Sequence, residues 1–461
     1  MIILIRKNID KAYPTIYILD IRYNKIGNEN NMKKLKAIIV GAGHRAIGYA
    51  NYALTHPKEL EIVGVADPSE LRRQTTAERY GLRDDQCYRS AEKLATIPKC
   101  ADFVINGTMD HQHVPTSIPL LESGYDILLE KPFATNKDEM WKLIETAQRL
   151  NRKVSICHVL RYAPFYAAIR QAVVDDKIGD IFNIQATEHV SYHHVAVGFV
   201  RGKWSKKSYC NSSMLMAKSC HDLDLIAWMK SGVSPRKVSS FGGNYQFRAE
   251  NAPAGAGTRC LVDCPIEKDC LYSARKHYID HPKRWSFYVW DSLEHIKEPT
   301  IEDKIESLKT DNPYGRCVWK CDNDVVDHQS VIIEFEDGCT STLNMIGGCS
   351  KPSRSIHLIG TRGEIQGCLE DSRFIIRHID TRPGHEYTEE IVDLNVSGDM
   401  TGAFGGHGGG DSRLVSDFLR VLNSEKSSIS STAIEDSISG HLIGFCADQS
   451  MLKQKVVDIT H

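Results

Sequence analysis

The chain reads as an α/β protein: a doubly wound parallel sheet in its first third, then a second domain rich in β-strands. Three observations carry this. A short apolar run, Ala37-Ile38-Ile39-Val40, feeds straight into a glycine turn, as a strand buried on both faces of a sheet would. From there to residue 158, apolar runs alternate with helical patterns, which implies parallel pairing with right-handed crossovers. Beyond residue 230, β-rich segments follow one another instead.

The turn Gly41-Ala42-Gly43-His44-Arg45-Ala46 spells G-x-G-x-x-A and opens a helix over about 44–55. Gly41 permits the tight turn, Gly43 lets a pyrophosphate approach the backbone, and Ala46 lets helix and strand pack closely. The N–H groups of His44, Arg45 and Ala46 lie at the helix start, where phosphates bind. A second buried strand, Ile62-Val63-Gly64-Val65-Ala66, ends in Asp67, which lies 26 residues after Gly41. The expected offset for a ribose-binding acid is about 20 residues. Its carboxylate would repel a 2′-phosphate and favours NAD; Arg72 and Arg73 just beyond keep NADP open. Further strands are expected at 102–107, 126–130 and 153–158, with helices near 69–80, 113–123 and 136–149. Ligands gather at the carboxyl ends of such strands. Asn106 to Thr108 and Glu130-Lys131-Pro132 fall there.

The glycine turn, Val65-Ala66-Asp67, His113 and Tyr125-Asp126-Ile127-Leu128-Leu129-Glu130-Lys131-Pro132-Phe133 together resemble the glucose–fructose oxidoreductase / inositol dehydrogenase (Gfo/Idh/MocA) family. The resemblance runs from about Lys36 to the end. It implies a Rossmann domain followed by an α+β domain with an open, mostly antiparallel sheet that holds a sugar or polyol over a nicotinamide. It also implies an NAD(P)-dependent oxidoreductase acting on a CH–OH group, and a homo-oligomer formed through the open sheet. Gly41, Gly43, His44, Arg45, Ala46, Asp67, Asn106, Thr108, His113 and Glu130 are the expected cofactor residues. The lysine of Glu-Lys-Pro, here Lys131, is the expected acid/base. Oxidising a carbinol removes a proton as well as a hydride, and the acceptor must sit within hydrogen-bond reach.

Family members commonly carry an acid four residues before a histidine that opens His-Asp-x-Asp. Here His221-Asp222-Leu223-Asp224 supplies the histidine, but the acid's position holds Ala217. Lys218 is one position on, and helical spacing puts it on one face with His221 as an i, i+3 pair. His221 is read as bonding the reacting hydroxyl or relaying its proton, with Lys218 facing the same site. The other reading is a packing histidine with Asp222 and Asp224 in local hydrogen bonds.

The sugar pocket is expected from three stretches: Arg161 after the last parallel strand, Glu188 to His194, and Arg201-Gly202-Lys203-Trp204. Arg161, Tyr192, His194, Arg201 and Trp204 are the candidates. Glu188 to His194 reads as one strand, in which His189 and His193 share a face, a substrate wall rather than a zinc site. The glycine-rich stretch 404–411 adds His407 as a polar contact. A similar Gly-Gly-His-Gly-Gly stretch occurs in NAD-dependent glycosidases of the same superfamily, which oxidise the sugar transiently to eliminate an aglycone. Lys131 favours the dehydrogenase. That glycosidase reading and a catalytically silent, cofactor-bound sensor, suggested by Ala217, are the alternatives.

Fifty-seven basic and 59 acidic residues give a net charge of -2, which argues against nucleic-acid binding by bulk charge. No run reaches the roughly 18 apolar residues of a membrane span. The amino terminus lacks a secretory pattern, so a cytoplasmic, thiol-reducing setting is expected. Residues 1–31 read as a weakly ordered extension ahead of Met32, or as residues preceding the natural start. The Rossmann unit is placed at 32–158 and the second domain at 159–461, with a cysteine-rich insertion at about 250–325. No metal is expected; the alternative is structural zinc on Cys260, Cys264, Cys270 and Cys321, against which the spacing lacks the paired x2 of a zinc ribbon.

Overall fold

The computed structural model describes residues 5–6, 15–18, 33–281, 285–394 and 406–460. Six parallel strands form the first sheet: β1 (Leu35–Val40), β2 (Leu60–Ala66), β3 (Cys87–Tyr88), β4 (Phe103–Asn106), β5 (Asp126–Leu129) and β6 (Val154–Ile156). Their order is β3-β2-β1-β4-β5-β6, with β1 in the interior of the sheet. Ala37, Ile38 and Ile39 are fully buried, as the continuous apolar run requires. Helices α1 (His44–Ala50), α2 (Glu70–Tyr80), α3 (His113–Glu122) and α4 (Lys137–Arg149) cover the faces. Local signals bound them. Ser69 accepts from the Arg72 N–H to start α2, Gly81 ends it in the left-handed region, and Asn136 accepts from the Glu139 N–H to start α4. Met140, Leu143, Ile144 and Ala147 form the buried stripe of α4 at helical spacing.

After α5 (Pro164–Val174) the chain enters an eleven-stranded sheet. Its main strands are β7 (Ile181–Ser191), β8 (Pro235–Gly243), β9 (His328–Phe335), β10 (Thr340–Cys349), β11 (Ser353–Gly360), β12 (Gly363–Cys368), β13 (Arg373–Ile379) and β14 (Tyr387–Asp393). Long β7 is central, parallel to β10 and antiparallel to β11. The other pairings among these eight strands are antiparallel. Buried helix α6 (Met214–Met229) packs on α8 (Ile438–Lys453). The approach is close because Gly440 has no side chain: a Cβ there would stand 2.9 Å from the Asp224 Cα.

Two expectations need correction, and one helix packs across the expected boundary. Ile5–Arg6 and Thr15–Ile18, inside the stretch read as a weakly ordered extension, are strands, and the second runs parallel to β14; the rest of 1–31 lies outside the described residues. The strand expected through His194 stops at Ser191, whose hydroxyl accepts from the His194 N–H and caps a short helix, Tyr192–Val195. His189 and His193 therefore do not share a strand face. Finally, α7 (Gly406–Leu422) belongs with the first sheet: Leu414, Val415, Phe418 and Leu419 share a core with Leu35, Ile39 and Phe103. Phe418 meets Phe103 edge-on at 5.2 Å. The segment after 158 thus sends a helix back onto the first sheet, a contact that an apolar stripe does not announce.

Gly41 has φ +77°, and a Cβ there would lie 2.8 Å from the Thr108 backbone nitrogen. Gly41→Ala should lower stability by about 1–3 kcal/mol, read from urea midpoints. An unchanged midpoint would show that the turn relaxes freely.

Candidate active site

The glycine turn, the Glu-Lys-Pro turn, α6 and the start of α7 meet at one cleft of about 1360 Å³, including space open to solvent. Gly43 precedes α1 without a side-chain cap, and a Cβ on it would meet nothing within 4 Å, so a ligand can reach its backbone. Just past β4, Gly107 faces Ala46: a Cβ on Gly107 would stand 2.8 Å from the Ala46 Cβ. The third small position therefore serves close packing.

Lys131 points into the cleft and its Nζ donates to the Ala217 carbonyl at 2.6 Å. An ammonium has three donors, so others remain for a ligand. Across α6, His221 lines the same cleft. Burial, reinforced by the Lys131 charge, holds its imidazole well below the usual histidine range, so the ring is neutral. Its Nδ1 is buried with no hydrogen-bond partner among the described residues. Lys218 also faces the cleft, and burial lowers its pKa. Its Nζ lies 3.1 Å from Glu188 Oε1 on β7. Glu188 also pairs with Arg354, whose Nε donates to Asp222 Oδ1 at 3.0 Å. Two cations and two carboxylates thus form a buried, balanced quartet.

Arg45 lines the cleft but its guanidinium is claimed by protein: Glu130 Oε1 at 2.9 Å and both oxygens of Asp411 at 3.0 Å. His407 Nδ1 lies 2.9 Å from Asp411 Oδ1. Burial opposes ionisation of Asp411, yet Arg45 and His407 hold its carboxyl well below the usual range. His407 itself lines the cleft, with φ +52°; Phe404 and Gly405 of the glycine-rich stretch lie outside the described residues.

The remaining candidates divide. Thr108, His113, His44, Glu130, His194 and Trp204 line the cleft. His113 bridges two turns, with its ring nitrogens 2.7 Å from the Pro132 carbonyl and 3.0 Å from that of Thr108. Asn106 is fully buried and does not reach the cleft; it bonds Thr116, Ser117 and Thr108, and so sets the turn. Asp67 is buried beside the glycine turn and accepts from the Ala42 and Ser69 N–H groups, both at 2.8 Å. Arg161, Arg201 and Tyr192 do not line the cleft. Arg161 is held by a buried two-pronged pair with Asp224, at 2.7 and 2.6 Å. Arg201 points into the cysteine-rich insertion, bonding the Arg316 and Tyr272 carbonyls. Tyr192 packs on the rings of Tyr272 and His277. Asp222 and Asp224 therefore make long-range ion pairs, not local hydrogen bonds.

The four cysteines of the zinc alternative lie in the insertion. Among the described residues no three His, Cys, Asp or Glu side chains stand together as a single-ion site, and the Cys321 thiol donates to the Cys317 carbonyl at 3.2 Å.

Sequence reasoning missed several cleft residues. Asp110 accepts from the Trp204 indole at 3.3 Å. Lys203 lies over the rings of Trp204 and Tyr288, and burial lowers its pKa. Trp285, from the insertion, stacks on His194 with centroids 3.7 Å apart. Lys203 sat inside a quoted motif; Arg354 and Trp285 carried no local signal, because only tertiary folding brings them here.

Comparison with known proteins agrees with this arrangement. Residues 35–158 match the GFO_IDH_MocA model, described as an oxidoreductase family with an NAD-binding Rossmann fold. Residues 170–459 match its companion, the C-terminal alpha/beta domain of that oxidoreductase family. YteT of Bacillus subtilis (strain 168), whose name describes it as an oxidoreductase, is 24% identical over 357 residues, 72% of this chain and 78% of that protein. Inositol 2-dehydrogenase of Corynebacterium glutamicum is 23% identical over 240 residues, 52% of this chain and 66% of that one. Among solved structures, scyllo-inositol dehydrogenase from Lactobacillus casei, with bound NAD(H) and scyllo-inositol, superposes with TM-score 0.61 at 15% identity over 93% of this chain and 99% of that one. That likeness shows the fold. The chain belongs to the Gfo/Idh/MocA oxidoreductase family and carries its NAD-binding Rossmann domain.

Burial holds His158, His194, His221 and His441 well below the usual histidine value. Above pH 6.5 both folded and unfolded forms are neutral and these groups contribute nothing. As pH falls below 6.5 only the unfolded chain binds these protons, and stability drops by roughly 1.4 kcal/mol per pH unit for each unmatched proton. Asp222, which burial pushes up to about 6, and Asp224 offset part of this. Tm should therefore be level from pH 8 to 7 and fall from 6.5 to 5; a Tm level across that lower window contradicts the neutral assignments.

Proposed function

We propose that this family member is an NAD(P)-dependent dehydrogenase acting on a carbinol of a sugar, glycoside or polyol, with NAD as its usual cofactor. The observation that carries the reading is Lys131, His221 and Lys218 facing one cleft whose opposite side is the glycine turn. Relatives named inositol 2-dehydrogenase and, in Escherichia coli, D-glucoside 3-dehydrogenase support the substrate class.

The residues fit the cofactor. Gly43 leaves its backbone open, and the Asp67 carboxylate has acceptor sites beyond the two it uses, suited to ribose hydroxyls. Neither nearby arginine is free for a 2′-phosphate. Arg72 pairs with Glu294 at 3.0 Å, and Arg73 donates to the Asp67 and Pro68 carbonyls. That favours NAD over NADP.

When bound, the nicotinamide supplies the hydride acceptor or donor. The chain handles the proton. Lys131, tethered through Ala217, presents Nζ to the substrate hydroxyl; in the oxidising direction its neutral amine takes the hydroxyl proton and becomes the ammonium. Neutral His221 beside it bonds the same hydroxyl or passes the proton outward. Where relatives carry an acid, Ala217 leaves room, and Glu188 supplies the nearest carboxylate to Lys218. Trp204 and His194 wall the site with aromatic faces, and Lys203 adds a donor. The glycoside-cleaving alternative rests on the glycine-rich stretch alone. The sensor alternative rests on Ala217, which Lys131 and His221 outweigh.

All fourteen cysteines are free, which supports a reducing, cytoplasmic setting. No described helix is long and apolar enough to cross a membrane. Phe241 on β8 and Ile332 on β9 are 68% and 51% exposed on the large sheet, which supports association of copies through it.

A panel of sugars, polyols and glycosides, followed for NADH formation and for aglycone release, tests the reaction. NADH formation is expected; aglycone release without net NADH would favour cleavage. Lys131→Ala should lower kcat by about 10²–10⁴-fold while NAD binding persists. Equal turnover by that variant would refute the role of Lys131. Light scattering should give a multiple of the chain mass, reduced in Ile332→Glu; a monomeric wild type would end the oligomer reading.

A further inference from the structure

The cysteine-rich insertion reaches the Rossmann domain at two places. Its aromatic turn meets the start of α1: the ring of His44 packs edge-on against Phe287 and Tyr288, with centroids 4.6 and 5.6 Å away. Asp291 Oδ1 lies 3.9 Å from His44 Nε2. A few residues on, Glu294 Oε2 accepts from Arg72 Nε at 3.0 Å, and Asp291 Oδ2 lies 3.9 Å from Arg72 Nη2. Arg72 stands in the first turn of α2, where its N–H bonds the hydroxyl of Ser69, two residues past Asp67. In a Rossmann domain the pyrophosphate binds at the first of these helix starts, and the adenosine ribose at the acid before the second. One segment of the second domain thus touches both sides of the path that the cofactor's adenosine half takes.

A ribose with a 2′-phosphate is accommodated by an arginine near that acid. Two arginines stand there, and they are held differently. Arg73 Nη1 donates to the Asp67 and Pro68 carbonyls, so its own turn folds it back. The Arg72 guanidinium is instead held by Glu294, 222 residues along the chain, with Asp291 beside it. Burial opposes the charge on Arg72, yet Glu294, Asp291 and Asp67 hold its pKa above the usual arginine value. The Arg72 and Glu294 side chains are 33% and 38% exposed, so the pair contributes little to folding. What it does is occupy the cation that a 2′-phosphate needs.

We propose, on the reading of Asp67 as the ribose acid, that Glu294 and Asp291 set the cofactor preference by holding Arg72 against the insertion and away from a 2′-phosphate. A phosphate brought to Arg72 must displace Glu294 or lie beside three carboxylates of like charge, a penalty that NAD, with a hydroxyl at that position, does not meet. Cofactor choice is then shared between the acid of the Rossmann domain and two acids of the second domain.

The test is equilibrium binding of NADH and NADPH to the full chain, read from nicotinamide fluorescence. Wild type is expected to bind NADH more tightly. In Glu294→Gln the ratio of the NADPH to the NADH dissociation constant should fall about tenfold, because a charge-assisted bond to the phosphate is gained and a carboxylate lost. Adding Arg72→Ala to that variant should remove most of the gain. Asp291→Asn, at the longer distance, should move the ratio the same way by less, and reads the effect independently if Glu294→Gln does not fold. An unchanged ratio in the single variants, with wild type still preferring NADH, overturns the role of the two acids and leaves the NAD reading standing. A fall that persists in full without Arg72 overturns it as well. Wild type that binds NADPH as tightly as NADH overturns both.

Discussion

The Arg45 guanidinium is the constraint on which the site depends. It stands on the helix that follows the glycine turn, yet its partners come from the Glu-Lys-Pro turn and from α7, 366 residues along the chain. Without it Glu130 and Asp411 would lose the guanidinium that offsets both buried charges, which is typically worth several kcal/mol. Tyr49 donates to Glu130 as well, at 2.7 Å. The other Glu130 oxygen accepts the Lys131 N–H at 2.7 Å, so the turn that presents Lys131 is fixed by the same carboxylate. Holding Arg45 thus places Lys131, the glycine turn and His407 in one frame.

The second electrostatic unit, Lys218-Glu188-Arg354-Asp222, works differently. Its charges cancel locally, so four charged groups line or back the cleft without giving it a strong field. A hydroxyl-rich neutral substrate needs oriented donors and acceptors more than a net potential. The near-zero charge of the whole chain is consistent with that demand.

What was legible in the sequence follows from range. The apolar runs, Ser69, Asn136 and Gly81 act within a few residues of where they stand, so the parallel sheet and its helices could be read directly. Gly41, Lys131 and His221 were legible because their motifs are local too. Arg161 and Arg201 were not. Both sit beside polar, aromatic sequence that reads as a sugar site, but Arg161 is claimed by Asp224 and Arg201 by the insertion. A buried arginine and a substrate-facing arginine look alike in sequence, because the difference lies in a partner tens of residues away. For the same reason the packing of α7 on the first sheet could not be read.

The insertion shows why the large second domain is more than a platform for the sheet. Its Trp285 stacks on His194, and its Tyr288 meets both His44, beside the glycine turn, and the ammonium of Lys203. One segment therefore touches the cofactor side and the substrate side of the cleft together. Aromatic contacts of this kind are worth about 0.5–1.5 kcal/mol each beyond burial, too little to order a loop rich in 3-10 turns by themselves. The segment is held from behind: Trp285 and Tyr288 share an apolar cluster with Cys260 and Tyr278, and buried Arg201 bonds the Tyr278 hydroxyl at 3.0 Å. The geometry of the cleft wall thus depends on an arginine buried outside the cleft.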